Sequence, residues 1–276
     1  MSDFMKKYKH IYKILMLSVA LIVGFTWVSD ATSIKSSQAT IIINKARMSS
    51  KLVASVEKWK GKIIELSLQH ENQVYIKGNL PQSKKAIALT FDDGPDGNIT
   101  PKIMDALDKK SVKATFFFQG NHVASKTKVV KRAFEEGHQI AVHSYSHPQL
   151  TKISEKSVKS EMNKTAKAVK KIIGYEPLYF RPPYGDMDEK TLKYIDRDYQ
   201  VVIWSVDTMD WVKGTTGKEI ANFIISNAKP NDIILMHSSE GKKATLEAVP
   251  LIIEGLGKKG YTFYTLEQMI GKKAYR

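Results

Sequence analysis

The sequence contains no cysteine. That excludes disulfides, thiolate metal sites, a cysteine nucleophile and a lipid-modified N-terminal cysteine, so any metal must be held by histidine, aspartate or glutamate. No G-x-G-x-x-G or phosphate-loop signature follows the first strand-like run, which argues against nucleotide binding. Acidic residues are in deficit: 28 Asp+Glu face 43 Lys+Arg, for a formal charge of +15. This balance favours a polyanionic neighbourhood, whether nucleic acid, an anionic membrane surface or an anionic cell-wall polymer. The lysines are spread through predicted helices rather than gathered in one run, and no nucleic-acid-binding motif occurs, so no nucleic acid partner is expected. With 276 residues, 42% of them hydrophobic, the chain can bury a full core and is expected to form one main domain after a short N-terminal region. Oligomeric state is not legible from the sequence.

Lys6, Lys7, Lys9 and Lys13 precede the apolar segment from Ile14 to Val28, the layout of a secretory signal. Ser29-Asp30-Ala31 offers small residues to a signal peptidase, while the apolar length approaches that of a marginal membrane span. Residues 1–31 are therefore expected to be a signal peptide or membrane anchor, placing the protein outside the cytoplasm, secreted or tethered. Residues 32–84 read as a spacer or accessory segment that can also pack on the main domain. Within it Ile41 to Ile43, Ile63 to Leu68 and Gln73 to Ile76 are predicted strands, and Ser49 to Trp59 a helix.

From residue 85 to 276 short β-rich runs alternate with longer helical patterns. The runs are Ala86 to Thr90, Ala114 to Gln119, Gln139 to His143, Leu178 to Arg181, Val201 to Ser205, Ile233 to His237 and Tyr261 to Leu266. Between the third and fourth, Val158, Met162, Ala166, Val169 and Ile173 recur at helical spacing along one face. The alternation predicts an α/β fold, a distorted β/α barrel of about seven parallel strands, with an open doubly wound sheet as the other candidate.

In such a barrel the reactive groups gather where strands end, and polar singletons fall at those positions. Asp92 and Asp93 follow the first run, His143 ends the third, Arg181 the fourth and His237 the sixth, while Asp207 to Trp211 follow the fifth. His143 and His147 are four residues apart, so a turn there aims both rings at one point, and Asp93 is the expected third ligand of a metal with open positions. Asp92 is placed to act as a base and His237 as an acid. Arg181 can hold Asp92 ionised, and Asp210 or Asp207 can favour protonated His237. Pro182 and Pro183 stiffen a turn that can aim a backbone N–H at a developing oxyanion, and Tyr184 and Trp211 offer apolar faces to a sugar. His10, His70, His122 and His138 have no such company and read as structural or solvated.

Five motifs in order, Thr90-Phe91-Asp92-Asp93-Gly94, His143-Ser144-Tyr145-Ser146-His147, Arg181-Pro182-Pro183-Tyr184-Gly185, Asp207-Thr208-Met209-Asp210-Trp211 and Leu235-Met236-His237, resemble the polysaccharide deacetylases of carbohydrate esterase family four, the NodB-type homology domain. The resemblance runs from about Lys85 to Ile270. It implies a Zn2+ ion, or another divalent cation such as Co2+, on Asp93, His143 and His147. It also implies Asp92 as general base with Arg181 as its partner, His237 as general acid tuned by an aspartate of the fourth motif, favoured as Asp210, and the backbone at Tyr184 as oxyanion donor. Leu235, Tyr184 and Trp211 are the expected substrate contacts. The implied activity is removal of N-acetyl groups from a glycan, with peptidoglycan the first expectation and chitin oligomers or exopolysaccharide the alternatives. A metal amidohydrolase of cyclic amides and a non-catalytic glycan-binding protein are the competing classes.

Overall fold

The computed structural model describes residues 40–276; the expected leader over 1–31, and residues 32–39 after it, lie outside the described residues. Among the described residues no helix is long and apolar enough to cross a membrane. In chain order the elements are β1 (Ile42–Ile43), α1 (Ser50–Gln69), β2 (Val74–Tyr75), β3 (Ala86–Asp92), α2 (Ile99–Asp108), β4 (Thr115–Phe118), α3 (Gly120–Val123), α4 (Thr127–Glu135) and β5 (Gln139–Val142). They continue with α5 (Glu155–Ile173), β6 (Tyr179–Phe180), α6 (Glu189–Leu192), β7 (Gln200–Val202), β8 (Val206–Asp207), α7 (Gly217–Asn227), β9 (Asp232–His237), α8 (Lys243–Lys258), β10 (Thr262–Phe263) and α9 (Leu266–Ile270).

The strands pair in parallel in the order β1-β8-β9-β3-β4-β5-β6-β7-β2, with β10 beside the start of β3. One end of this order lies against β8 and the other against β7, and only residues 203–205 separate those two strands. The sheet must therefore curl until its ends meet on one stretch of chain, which gives the expected distorted barrel. Its strands are shorter and more numerous than the seven runs, because the fifth run breaks at Ile203 to Ser205 and residues 41–76 add β1 and β2. The seventh run is strand only at Thr262–Phe263, since Thr265 caps the helix that follows.

Each strand has one face toward the helices and one toward the barrel interior. Along β3, Ile87, Leu89 and Phe91 pack in the core under the helices, so Ala88, Thr90 and Asp92 face inward. Along β9 the alternation is the same: Ile234 and Met236 join that core, and Leu235 and His237 turn inward. Helix α5 is the one expected from the spacing of Val158, Met162, Ala166, Val169 and Ile173, with that apolar face buried, Ser154 accepting from the Ser157 N–H and Gly174 closing it in the left-handed region.

One expectation is overturned. Ile63 to Leu68 is not a strand but the second half of α1, whose N-cap Ser49 accepts from the Leu52 N–H. The helical spacing of Leu52, Val56, Trp59, Ile63 and Leu66 outweighs a six-residue stretch with four apolar residues that reads equally well as strand, and burial of Ile63 and Leu66 anchors that face.

Candidate active site

Register brings the rim together. Along the β3–β9 ladder Asp92 stands opposite His237, so the carboxylate of the first motif and the imidazole of the fifth are level on adjacent strands. On the other side, Phe118 pairs with Val142 and Val142 with Phe180, which puts His143 and Arg181 one residue beyond the pairs. The strand ends open into a cavity of about 550 Å³ whose lining includes Asp92, Asp93, His143, His147 and His237.

Arg181 is completely buried, which is tolerable because its donors are matched. Its Nη1 donates to Asp92 Oδ1 at 2.8 Å and to Thr90 Oγ1 at 2.9 Å, while Nε and Nη2 donate to the carbonyls of Val202 and Ile203 at 3.0 and 2.7 Å. The guanidinium lies 4.1 Å from the Phe117 ring centroid. One oxygen of Asp92 is thus fixed by a permanent cation, and the other, Oδ2, stands 3.8 Å from His143 Nε2 at the cavity.

The ligating atoms of Asp93, His143 and His147 all lie within 4.8 Å of one another. Asp93 Oδ1 is 3.5 Å from His143 Nε2 and 3.2 Å from His147 Nε2. Ligands about 2 Å from a tetrahedral cation stand roughly 3.3 Å apart, so the donor set fits a divalent metal. The His143 Nδ1–H donates to the Arg181 carbonyl at 2.8 Å, which leaves Nε2 free to face the cluster. Burial opposes the charge on Asp93, yet the two imidazoles hold its carboxyl well below the usual carboxylate range. No helical turn brings the two histidines together. Instead Ser144 and His147 take left-handed conformations, as does Asp93, at φ of 60°, 62° and 68°.

That turn is held by residues the sequence did not single out. Glu161, on α5, accepts from the N–H groups of Tyr145 and Ser146 at 2.8 and 2.7 Å and from Ser146 Oγ at 2.9 Å. Gln119 Nε2 donates to Asp93 Oδ1 at 2.9 Å. His122, read as unaccompanied, lies with Nδ1 3.3 Å from the Asp93 carbonyl oxygen, at the edge of the cluster. His70 pairs with Glu189 far from it in sequence and His138 is buried, in keeping with structural roles.

Of the two aspartates in the fourth motif, Asp210 meets His237. Its Oδ1 accepts from His237 Nδ1 at 2.6 Å, and its Oδ2 accepts from the His237 N–H and from Thr245 Oγ1. Burial pulls the imidazolium down, but the Asp210 carboxylate outweighs it and the His237 pKa is pushed up to about 9. Asp207 instead lines the cavity and accepts from the Met209 N–H, and burial pushes its carboxyl up to about 6. Tyr184 is 59% exposed and Trp211 46% exposed, both on the cavity wall with Leu235. The Tyr184 ring meets the edge of His147, 4.6 Å between centroids.

The polysaccharide deacetylase family matches residues 79–202. The chain is 42% identical over 192 residues to a peptidoglycan-N-acetylglucosamine deacetylase of Bacillus cereus, an alignment spanning 68% of this chain and 70% of that protein. It is 37% identical over 214 residues to the peptidoglycan-N-acetylmuramic acid deacetylase PdaA of Bacillus subtilis, spanning 76% of this chain and 80% of the relative. Among solved structures, the Bc1960 peptidoglycan N-acetylglucosamine deacetylase in complex with 4-naphthalen-1-yl-N-oxidanyl-benzamide superposes with a TM-score of 0.72 at 39% identity, covering 76% of this chain and 99% of that one.

Proposed function

The chain belongs to the polysaccharide deacetylase family, and from that membership and the rim geometry we propose that it hydrolyses N-acetyl groups on the sugars of a glycan, cell-wall peptidoglycan foremost, releasing acetate and leaving free amines. One observation carries this reading: Asp92 and His237 stand level on adjacent strands, beside the Asp93, His143 and His147 cluster. A hydrolase that splits an amide needs a base on one side of the reacting carbon and an acid for the departing nitrogen.

Asp93, His143 and His147 would hold a divalent cation, zinc in our reading, which would supply polarisation of the acetyl carbonyl and a lowered pKa for water at the site. Asp92, aimed by the Arg181 guanidinium, takes the proton from the attacking water as its oxygen bonds to the carbonyl carbon. The backbone N–H at Tyr184 donates to the oxyanion that develops. His237, protonated at neutral pH through Asp210, delivers its proton to the amide nitrogen as the C–N bond breaks and acetate leaves. Leu235 lines the same cavity, and Tyr184 and Trp211 offer their exposed apolar faces to the sugar. The ligand in the solved relative is an N-hydroxy amide, a type that chelates cations through two oxygens, and this supports a cation at the equivalent cluster.

Relatives named as peptidoglycan deacetylases support peptidoglycan as the polymer, and the sugar within it is the finer point, since those relatives are named for N-acetylglucosamine and for N-acetylmuramic acid. A charge of +15 and the basic-then-apolar leader support work at an anionic cell envelope. The test is acetate release from purified peptidoglycan and from acetylated chito-oligosaccharide, with and without a chelator and added zinc, with mass spectrometry of the digested wall assigning the deacetylated sugar. We expect release that the chelator abolishes and zinc restores. Asp93→Ala should lose zinc binding and turnover together, and Asp92→Asn should keep zinc and lose turnover. No acetate from either glycan after zinc loading, with hydrolysis of a cyclic amide instead, would replace this reading with an amidohydrolase.

A further inference from the structure

Helix α1 precedes residue 79, where the family match begins, yet its first half forms one wall of the active-site cavity through Leu52, Ser55, Val56 and Trp59. Leu52, Val56 and Trp59 recur at four- and three-residue spacing, so they share a helix face, while the helix itself is anchored further along by buried Ile63 and Leu66. Trp59 does more than line the cavity. Its Nε1 donates to the Gly185 carbonyl at 2.9 Å, and its ring stacks on Trp204, centroids 5.2 Å apart with 25° between planes.

Both contacts fall beside groups that the proposed chemistry uses, the Tyr184 N–H and Arg181. Tyr184 and Gly185 are left-handed, φ 61° at each, and a non-glycine residue holds that conformation only where its surroundings impose it. Gly185 fits so closely under the two indoles that an added Cβ would stand 2.8 Å from Trp59 and 2.9 Å from Trp204. Trp204 in turn lies over the Arg181 guanidinium, 5.6 Å from the ring centroid, and Arg181 holds Asp92. Trp59 therefore bears on the turn that carries the oxyanion donor and, through Trp204, on the cation that aims the base.

We propose that Trp59 is a positioning residue for the Pro182–Gly185 turn, which makes α1 part of the catalytic machinery although it lies before the family match. This rests on the deacetylase reading above. Substrate binding does not require the indole N–H, whereas the transition state requires the turn to be aimed before the oxyanion forms. The loss should thus fall on kcat rather than KM.

The experiment measures kcat and KM for acetate release from acetylated chito-oligosaccharide, together with zinc affinity by chelator competition, for the zinc-loaded full chain, Trp59→Phe, Trp59→Ala and the control Lys58→Ala on the exposed side of the helix. Trp59→Phe keeps an aromatic ring on the side of Trp204 and removes the hydrogen bond with little loss of apolar packing, so kcat should fall about 10-fold with KM within about twofold, and Trp59→Ala should lose about 100-fold, the scale of a misplacement near 1 Å. Zinc affinity should be unchanged in both, and Lys58→Ala should match the parent. The proposal is overturned if Trp59→Phe, which keeps the packing should the alanine variant not fold, retains kcat within twofold, or if its loss appears in KM or in zinc affinity instead. Absence of acetate release by the parent protein would overturn the deacetylase reading and this role with it, whereas an active parent with an unaffected Trp59→Phe would overturn the role of Trp59 alone.

Discussion

Asp210→Asn isolates the acid of the proposed reaction. In the native site the His237 side chain is 14% exposed and Asp210 is fully covered, so the pair interacts with little solvent screening. Burial alone would lower the imidazolium pKa; Asp210, with smaller help from Asp93 and Asp92, brings it to about 9. Removing the Asp210 charge leaves burial largely unopposed, and the pKa should return to about 6.5 or below, a change worth about 3 kcal/mol. At pH 7.5 the protonated fraction then falls from about 0.97 to about 0.1, while at pH 6 most of the imidazole is protonated in either protein. The assay is kcat/KM for acetate release from pH 5.5 to 9.5. The basic limb should move from near 9 to near 6.5, so that the protonation deficit is about tenfold at pH 7.5 and within about twofold at pH 6. Stability follows the same linkage. A pKa raised on folding contributes stability below the unfolded value near 6.5, and that contribution is lost as pH rises through about 9. The variant should lack this slope. It should also be less stable at every pH, because Asp210 accepts from His237 Nδ1, the His237 N–H and Thr245 Oγ1, and an asparagine oxygen replaces only one carboxylate oxygen, leaving buried donors unmet at about 1–3 kcal/mol. A ratio of parent to variant activity that is flat from pH 6 to 9 would refute His237 as an acid tuned by Asp210.

Gly185→Ala places a Cβ within 3 Å of Trp59 and Trp204 at a φ of 61°, so thermal melting should show a loss of about 1–3 kcal/mol; an unchanged melting temperature would mean the two indoles yield freely. Glu161→Gln removes one of the two oxygens that gather the Tyr145 and Ser146 amides and the Ser146 hydroxyl. Its zinc affinity by chelator competition should fall by about 10- to 100-fold, as for other residues that orient metal ligands, and parent-like affinity would show the turn to be held without it.

The parts of the site legible in the sequence are those that strand geometry dictates. Alternation along Ala86 to Asp92 already sends Asp92 inward if Leu89 and Phe91 face the helices, and the same rule turns Leu235 and His237 inward. Convergence of His143 and His147 was readable from their spacing, but its cause was not: left-handed backbone at Ser144 and His147 has no signature in residues that are neither glycine nor asparagine. Glu161 was hidden for a related reason. On an amphipathic helix rich in lysine it resembles any solvated acid, and only the folding of α5 against the turn makes it an acceptor for three donors.

Helix α1 shows where sequence pattern stops being informative. The spacing of Leu52, Val56, Trp59, Ile63 and Leu66 specifies a helix with an apolar face, but an apolar face is satisfied equally by the side of a barrel or by its mouth. What decides is the chain on either side of the helix: β1 pairs with β8 and β2 with β7, both flanking the stretch that holds Trp204. With its ends pinned to that stretch, α1 has to pass beside Trp204, and Trp59 then meets both that indole and the Gly185 carbonyl. Two strands of two residues each thereby bring a segment that precedes the motifs to the turn that follows Arg181. Because such short ladders contribute little stability by themselves, the stacking of Trp59 on Trp204 and the burial of Ile63 and Leu66 must hold the helix in place, so the wall of the cavity and the packing of its outermost segment are one structure.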